Sequence, residues 1–150
     1  MKLLVPPPLV FLLAIILTYA TQRLFPVLQI DVPLLPNVGL AIAALGVFLA
    51  LVAISGFVAR KTTVSPHHPE RSSALVTDGV YGLTRNPMYM SLALIAAGAA
   101  LMQATPVGLV FVAIAVWYIT RYQIKPEEEA LSTLFGADYD TYRQRVRRWI

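Results

Sequence analysis

The sequence has no cysteine and only two histidines in 150 residues. Without thiols, neither a disulfide framework nor a thiolate metal site can form. The histidines, His67 and His68, are adjacent in the chain, which is poor geometry for shared ligation of one metal ion. We therefore expect no metal cofactor, and we expect both histidines to be solvated or interfacial.

Charged residues are also scarce. They make up 13% of the chain, whereas hydrophobic residues make up 57%; an ordinary globular protein has roughly 25% charged residues. This composition predicts an all-α integral membrane protein that crosses the bilayer several times. The net charge of +4 fits membrane topology better than nucleic-acid binding. No charge lies within the middle of an apolar stretch, which argues against an ion channel or proton-coupled transporter.

Four apolar stretches predict transmembrane helices: Leu3 to about Tyr19, Asn37 to Ala59, Pro87 to about Gln103, and Pro106 to about Tyr122. The first is short, and a cleaved signal peptide is the competing interpretation, although no clean small-x-small cleavage site follows it. The last two are separated by a turn too short for anything but a hairpin. They therefore predict an antiparallel helical hairpin.

The stretch from Glu127 to Ile150 is amphipathic, with apolar and aromatic residues at three- and four-residue spacing. Gly136 is expected to divide this tail into two helices, and its aromatic residues are expected to pack at the membrane interface. In the four-span arrangement only Arg23 lies on the side opposite the other basic residues. The positive-inside rule then places both termini, the central loop and the tail in the cytoplasm, at the inner membrane.

The polar stretch from Leu75 to Tyr89 is the most specialised part of the chain. Asp78-Gly79 is a turn signal, and Asn86-Pro87 is typical of a helix start, with Asn as the cap. Tyr81 and Arg85 lie between these signals. A capped helix with a topology-determining arginine explains part of this pattern. The functional alternative is a ligand carboxylate or ribose held by Arg85 and the first helical N–H groups.

A second candidate stretch is the acidic run Glu127-Glu128-Glu129, which follows Pro126. Acidic residues in a first helical turn interact favourably with the helix dipole. They are equally suited to accept hydrogen bonds from ribose hydroxyls or an amine, or to oppose a sulfonium. Spacing alone leaves both interpretations open.

Taken in order, these residues resemble the isoprenylcysteine carboxyl methyltransferase family, which is related to the phospholipid N-methyltransferases. The resemblance covers roughly residues 62–150. It rests on Leu75-Val76-x-x-Gly79-x-Tyr81-x-x-x-Arg85-Asn86-Pro87-x-Tyr89, then a helical hairpin, then Glu127-Glu128-x-x-Leu131-x-x-x-Phe135-Gly136-x-x-Tyr139-x-x-Tyr142, then Val146 and Trp149.

The resemblance implies an integral membrane methyltransferase that uses S-adenosylmethionine and takes a lipophilic acceptor laterally from the bilayer. The residues it implies for the cofactor side are Val76, Gly79, Tyr81, Arg85, Asn86, Pro87, Tyr89 and Glu128. Those it implies for the substrate side are Glu127 with Arg121 or Gln123. The prenylcysteine enzymes of this family have histidine in place of Asn86 and arginine near Gln123. These departures argue against a prenylcysteine substrate, unless Arg121 substitutes.

We expect one domain over residues 1–150, with two N-terminal spans in residues 1–61 and a cofactor-binding core in residues 62–150. Two other functions compete with methyl transfer. The Arg-x-Pro-x-Tyr region is also similar to sterol reductases, which use a nicotinamide cofactor but are much longer. A non-enzymatic membrane scaffold is the other, and it requires the central loop and the acidic run to be only helix caps and positive-inside charges. A structure with Arg85 and Glu128 far apart and no cavity between them would support it.

Overall fold

The computed structural model describes residues 5–59 and 75–150. Within these two ranges all regular secondary structure is helical, as the composition predicts. The α-helices are α1 (Pro7–Leu24), α2 (Leu35–Ala59), α3 (Pro87–Met102), α4 (Gly108–Ile119), α5 (Lys125–Phe135) and α6 (Ala137–Arg145). Short 3-10 turns span Pro26–Leu28 and Gly79–Gly82, and a π-helical turn spans Thr120–Ile124.

The helix ends follow local chemistry. α1 begins at Pro7, where a missing N–H is no loss. It runs past the predicted end at Tyr19 to Leu24, since the Thr21 hydroxyl donates to the Leu17 carbonyl within the helix instead of ending it. Gly136 separates α5 from α6 with a positive φ of 53°, which confirms the predicted break.

Two helices, α1 and α2, are long and apolar enough to cross a membrane, and α3 is a shorter apolar helix. Only 22% of the span in α1 and 17% of the span in α2 is buried within the protein. Leu40, Phe48 and Leu51 are among the large apolar side chains that α2 exposes. Such surfaces belong in lipid, because a core helix of a soluble protein would be mostly buried.

Helix α3 is the centre of the bundle, because it packs against α1, α2 and α4. Its contact with α2 is very close. A Cβ atom added at Gly98 would lie 2.6 Å from the Gly39 carbonyl oxygen and 2.7 Å from the Ala43 nitrogen. Small residues on both helices, Gly39 and Ala43 on α2 and Gly98 on α3, therefore allow this close approach within one chain.

The hydrophobic core lies between α1, α3 and α4, around Phe11, Ala96 and Ile119. A separate cluster holds Tyr139 and Tyr142, which are 1% and 5% exposed. The expectation that these tyrosines pack at the membrane interface is therefore wrong. The reason is that the Tyr142 hydroxyl donates to the Tyr81 carbonyl at 2.7 Å, which holds α6 against the turn before α3.

We predict that Gly98→Ala lowers the free energy of unfolding by about 1–3 kcal/mol, because the new methyl group would overlap the α2 backbone. Thermal unfolding in detergent measures the change. Gly56→Ala is the matched control, since an added Cβ there lies 3.9 Å from the Tyr81 ring, which is an ordinary van der Waals contact. An equal loss in both variants would show that helix composition, and not the α2–α3 contact, sets the stability.

Candidate functional site

The site is built around the N-terminus of α3. Gly79 takes a φ of +56°, so the Asp78-Gly79 turn predicted from the sequence is confirmed. The turn leads into Thr84, Arg85 and Asn86, and Pro87 begins the helix. Since α3 is central, this sequence of turns fixes polar side chains at one end of the bundle, where α5 and the chain terminus also lie.

The Asn86 side chain does not cap α3 as predicted. It forms no capping hydrogen bond, and its Nδ2 atom donates to the Arg148 carbonyl oxygen at 2.9 Å. The hydroxyl of Thr84 donates to the same oxygen at 3.1 Å and accepts from the Asn86 backbone N–H. Asn86 is therefore used for tertiary attachment because the C-terminal residues offer an acceptor at the place where the cap would point.

Arg85, Glu128 and Arg148 form an ionic cluster. Arg85 Nη2 lies 3.1 Å from Glu128 Oε1, and the two side chains are 8% and 10% exposed. Arg148 approaches the same carboxylate with two nitrogens, Nε at 3.0 Å from Oε1 and Nη2 at 2.7 Å from Oε2. These bonds raise the pKa of Arg148. One buried carboxylate is thus shared by two guanidinium groups, which leaves the cluster with a net positive charge.

Arg85 has hydrogen-bonding capacity that Glu128 does not use. Its Nε and Nη1 atoms are buried, and within residues 5–59 and 75–150 neither has a hydrogen-bond partner. A buried charged donor without a partner is costly, so such groups in native proteins call for an explanation. An anionic ligand that accepts a hydrogen bond from either nitrogen would supply one.

Residues 146–150, which we name the C-terminal strap, hold the cluster together. The Arg85 backbone N–H donates to the Arg147 carbonyl at 3.0 Å. Trp149 Nε1 donates to the Thr120 hydroxyl at 3.3 Å, and Val146 is buried with the tyrosines of α6. The strap therefore connects the start of α3 with the π-helical turn and with α5.

Glu127 lies in a second network. The Tyr89 hydroxyl donates to Glu127 Oε1 at 2.7 Å, and Gln123 Nε2 donates to the same oxygen. The π-helical turn brings Gln123 and Ile124 inside together, at 3% and 0% exposure. Such turns are rare and occur often at functional sites. Burial raises the pKa of Glu127 to about 7, well above the usual range of a carboxyl group.

The structure separates the predicted substrate-side residues. Gln123 joins Glu127, but Arg121 does not: it is exposed, and its guanidinium carbon lies 5.6 Å from the centre of the Tyr122 ring. Arg121 projects outward because it lies two positions before Gln123 on a helical path. On the cofactor side, Val76 and Tyr81 are buried together against Ala53 of α2.

Sequence reasoning missed Arg148 and Thr84. Arg148 is one of several basic residues of the tail, and nothing in its spacing sets it apart from Arg145 or Arg147. An open cleft of about 490 Å³ is lined by Lys125, Glu128, Glu129, Ser132, Thr133, Arg143 and Arg148. Glu128 and Arg148 thus belong both to the ionic cluster and to the lining of this cleft.

Comparison with known proteins gives consistent findings. Residues 35–138 match the family model described as phospholipid methyltransferase. Protein-S-isoprenylcysteine O-methyltransferase B of Arabidopsis thaliana is 33% identical over 110 residues, which cover 73% of this chain and 56% of the relative. A probable protein-S-isoprenylcysteine O-methyltransferase of Oryza sativa subsp. japonica is 31% identical over 109 residues, which cover 73% and 57%. The chain spans about half the length of the curated relatives it matches.

The fold is also similar to a solved structure, that of the eukaryotic intramembrane Ras methyltransferase, isoprenylcysteine carboxyl methyltransferase. The TM-score is 0.75 at 26% identity, and the match covers 95% of this chain and 50% of that chain. The helical membrane architecture predicted from the sequence is therefore one that a solved membrane methyltransferase shares.

We predict that Arg148→Ala lowers the free energy of unfolding by about 1–3 kcal/mol, because Glu128 loses two hydrogen bonds to a charged donor. Arg148→Lys should recover part of the loss, since an ammonium group cannot match both carboxylate oxygens. Arg147→Ala removes an exposed guanidinium of the same strap and serves as the control. Equal unfolding temperatures for Arg148→Ala and Arg147→Ala would contradict this role.

The stability of the protein should depend on pH through Glu127. Since the pKa of Glu127 is about 7 in the folded protein and 4.5 as a reference, the folded state binds the proton more tightly. The stabilisation is present below the unfolded pKa and is lost as pH rises through about 7. Its full size is on the order of 3 kcal/mol. The unfolding temperature of the wild type should fall over this pH window relative to that of Glu127→Gln. Unfolding temperatures that change in parallel with pH in both proteins would contradict the assignment.

Proposed function

The chain belongs to the phospholipid methyltransferase family, and from this premise we propose that it is an integral membrane enzyme that transfers a methyl group from S-adenosylmethionine to a lipophilic acceptor. It is similar to the isoprenylcysteine carboxyl methyltransferases. The observation that carries the proposal is the pair of buried Arg85 nitrogens without a partner in the described chain, beside a carboxylate that holds the guanidinium in place.

The residues present fit the cofactor. S-adenosylmethionine has an amino-acid carboxylate, ribose hydroxyls and a sulfonium. Within the described residues, Arg85 has free N–H groups at Nε and Nη1, either of which can donate to the carboxylate. Glu128 retains acceptor capacity at Oε2 for a hydroxyl, because a carboxylate has about four lone-pair sites. The proposed cofactor residues are Val76, Gly79, Tyr81, Arg85, Asn86, Pro87, Tyr89 and Glu128.

The chemistry matches what the chain offers. When bound, the cofactor supplies an electrophilic methyl group. The protein then needs to align the acceptor in line with that methyl and to exclude water, and it needs no covalent nucleophile. Buried side chains at the start of α3 and in the π-helical turn are suited to this, because their positions are set by packing and hydrogen bonds.

We further propose the topology that the charge distribution predicts. α1 to α4 span the cytoplasmic membrane, both termini face the cytoplasm, and residues 1–150 form one domain whose core is residues 62–150. The acceptor then enters sideways from the bilayer, while the cofactor enters from the cytoplasm. The exposed apolar faces of α1 and α2 support the placement of these two helices in the membrane.

Isothermal titration of the detergent-purified protein with S-adenosylhomocysteine tests the proposal. We expect saturable binding near one per chain, with affinity reduced about 10- to 100-fold or more in Arg85→Ala and in Glu128→Ala. Arg145→Ala, which alters an exposed side chain, should bind normally.

Thermal unfolding establishes that each variant is folded before titration. Binding of NADPH in place of S-adenosylhomocysteine would indicate that the site belongs to a reductase. Equal affinity in Arg85→Ala and the wild type would remove Arg85 from the site.

A further inference from the structure

A short connection, residues 25–34, joins α1 to α2 at the end of the bundle away from the candidate site. The Ile30 backbone N–H donates to the Ala104 carbonyl at 3.0 Å, which attaches the connection to the turn between α3 and α4. The site lies at the other end of α3, whose 16 residues rise about 24 Å. The connection is therefore separate from the proposed methyl-transfer site.

The connection exposes apolar side chains along its whole length. Every residue from 25 to 34 is exposed, and the side chains of Val27 and Leu34 reach 87% and 65% exposure. Asp31 is the single charged residue in the sequence from 25 to 36. The other large apolar residues that the connection exposes are Phe25, Leu28, Ile30 and Val32. A continuous exposed apolar surface of this kind marks a site of contact with a protein or a membrane.

The backbone of the connection is largely paired within the protein. Pro26 and Pro33 have no N–H group that needs a partner. In a membrane the backbone polar groups must be satisfied internally, because the hydrocarbon contains no water to bind them. A loop with few unpaired N–H groups is thus suited to a depth that an ordinary loop avoids. The residues from 25 to 35 whose N–H groups donate to backbone carbonyls are Phe25, Leu28, Gln29, Ile30, Val32 and Leu35.

The connection is also continuous with surfaces that belong in lipid. It joins α1 and α2, the two helices that are long and apolar enough to cross a membrane. In the last turn of α1, Arg23 Nε donates to the Tyr19 hydroxyl at 3.0 Å, and the Arg23 guanidinium carbon lies 5.1 Å from the centre of the Tyr19 ring. Exposed tyrosine and arginine side chains of this kind are typical of the interface between membrane and water. The pair indicates that the connection begins at the level of the interface.

We propose that residues 25–34 insert into the interfacial layer of the bilayer, between the headgroups and the acyl chains of the leaflet opposite the cytoplasm. This inference rests on the membrane topology within the proposed function, and it adds a lipid-binding surface to it. Val27 and Leu34 contact acyl chains, whereas Asp31 faces headgroups and water, because a carboxylate is costly in hydrocarbon. Lipid is the partner that fits, since the exposed apolar surface continues into both flanking helices.

Insertion at this level holds one end of the bundle at a defined depth. The hydrogen bond from Ile30 to Ala104 transmits this constraint to the helical hairpin of α3 and α4. Because α3 is a rigid helix, a fixed depth at its C-terminal end also fixes the depth of its N-terminal end, where Arg85 and Tyr89 lie. The lipid-bound connection thereby keeps the candidate site at a constant distance from the acyl chains.

The absence of cysteine from the sequence makes a direct test possible, since an introduced cysteine is then the only thiol to label. Each single-cysteine variant carries a nitroxide, in vesicles of phosphatidylcholine and phosphatidylglycerol. Electron paramagnetic resonance compares collisions with oxygen, which concentrates in hydrocarbon, with collisions with a water-soluble nickel chelate. The variants are Val27→Cys, Leu34→Cys and Asp31→Cys in the connection, Phe48→Cys on the exposed face of α2, and Thr141→Cys on the exposed face of α6.

We expect the oxygen-to-nickel collision ratios at Val27 and Leu34 to lie closer to the ratio at Phe48 than to the ratio at Thr141. The ratio at Asp31 should be lower than that at Val27. All five positions are exposed, so the substitutions should leave the fold intact. Thermal unfolding and titration with S-adenosylhomocysteine check this for each labelled variant.

Ratios at Val27 and Leu34 equal to that at Thr141 would place the connection in water and overturn the inference. Low collision rates with both reagents would show that protein covers the connection, and this would overturn it too. A ratio at Asp31 equal to that at Val27 would contradict the assigned orientation. In these three cases S-adenosylhomocysteine still binds, so the proposed enzyme activity stands. A water-like ratio at Phe48 would instead overturn the membrane topology, and this inference with it.

Discussion

The site depends on one carboxylate held between two guanidinium groups. Glu128 is 8% exposed, so its charge is tolerable only because Arg85 and Arg148 compensate it. The three residues come from the turn before α3, from α5 and from the C-terminal strap. Each of these segments is short and has little core of its own. The ionic cluster connects these three segments. It also orients the Arg85 nitrogens that face the proposed ligand.

The two adjacent glutamates have different surroundings because they lie on different sides of α5. Glu128 meets two cations, whereas Glu127 meets a phenol and an amide, and burial raises the pKa of Glu127 to about 7. Two like groups with opposite environments are a common arrangement in active sites. Here the difference arises from backbone geometry, since the residue type is the same.

Much of the fold could be predicted from the sequence. Long apolar stretches, prolines at helix starts and Gly136 mark which segments are helical, because these signals are local. The helix ends are less well marked, since α1 continues past its predicted end at Tyr19 to Leu24. Arg85 and Glu128 could be predicted to share a site, but their ion pair could not. Arg148 was not singled out, since its partner is 20 positions away and its segment is non-periodic. The π-helical turn has no sequence signature, so the separation of Gln123 from Arg121 could not be predicted.

The π-helical turn at Thr120–Ile124 sets the rotational phase of everything that follows it. An α-helix advances about 100° per residue, so one residue more or less in this turn rotates α5 by that angle about the bundle. Such a rotation would carry Glu127 away from Tyr89 and bring a neighbouring side chain into its place. The length of the junction, and not only the identity of the glutamates, therefore determines which carboxyl group faces the apolar interior and which one faces the arginines.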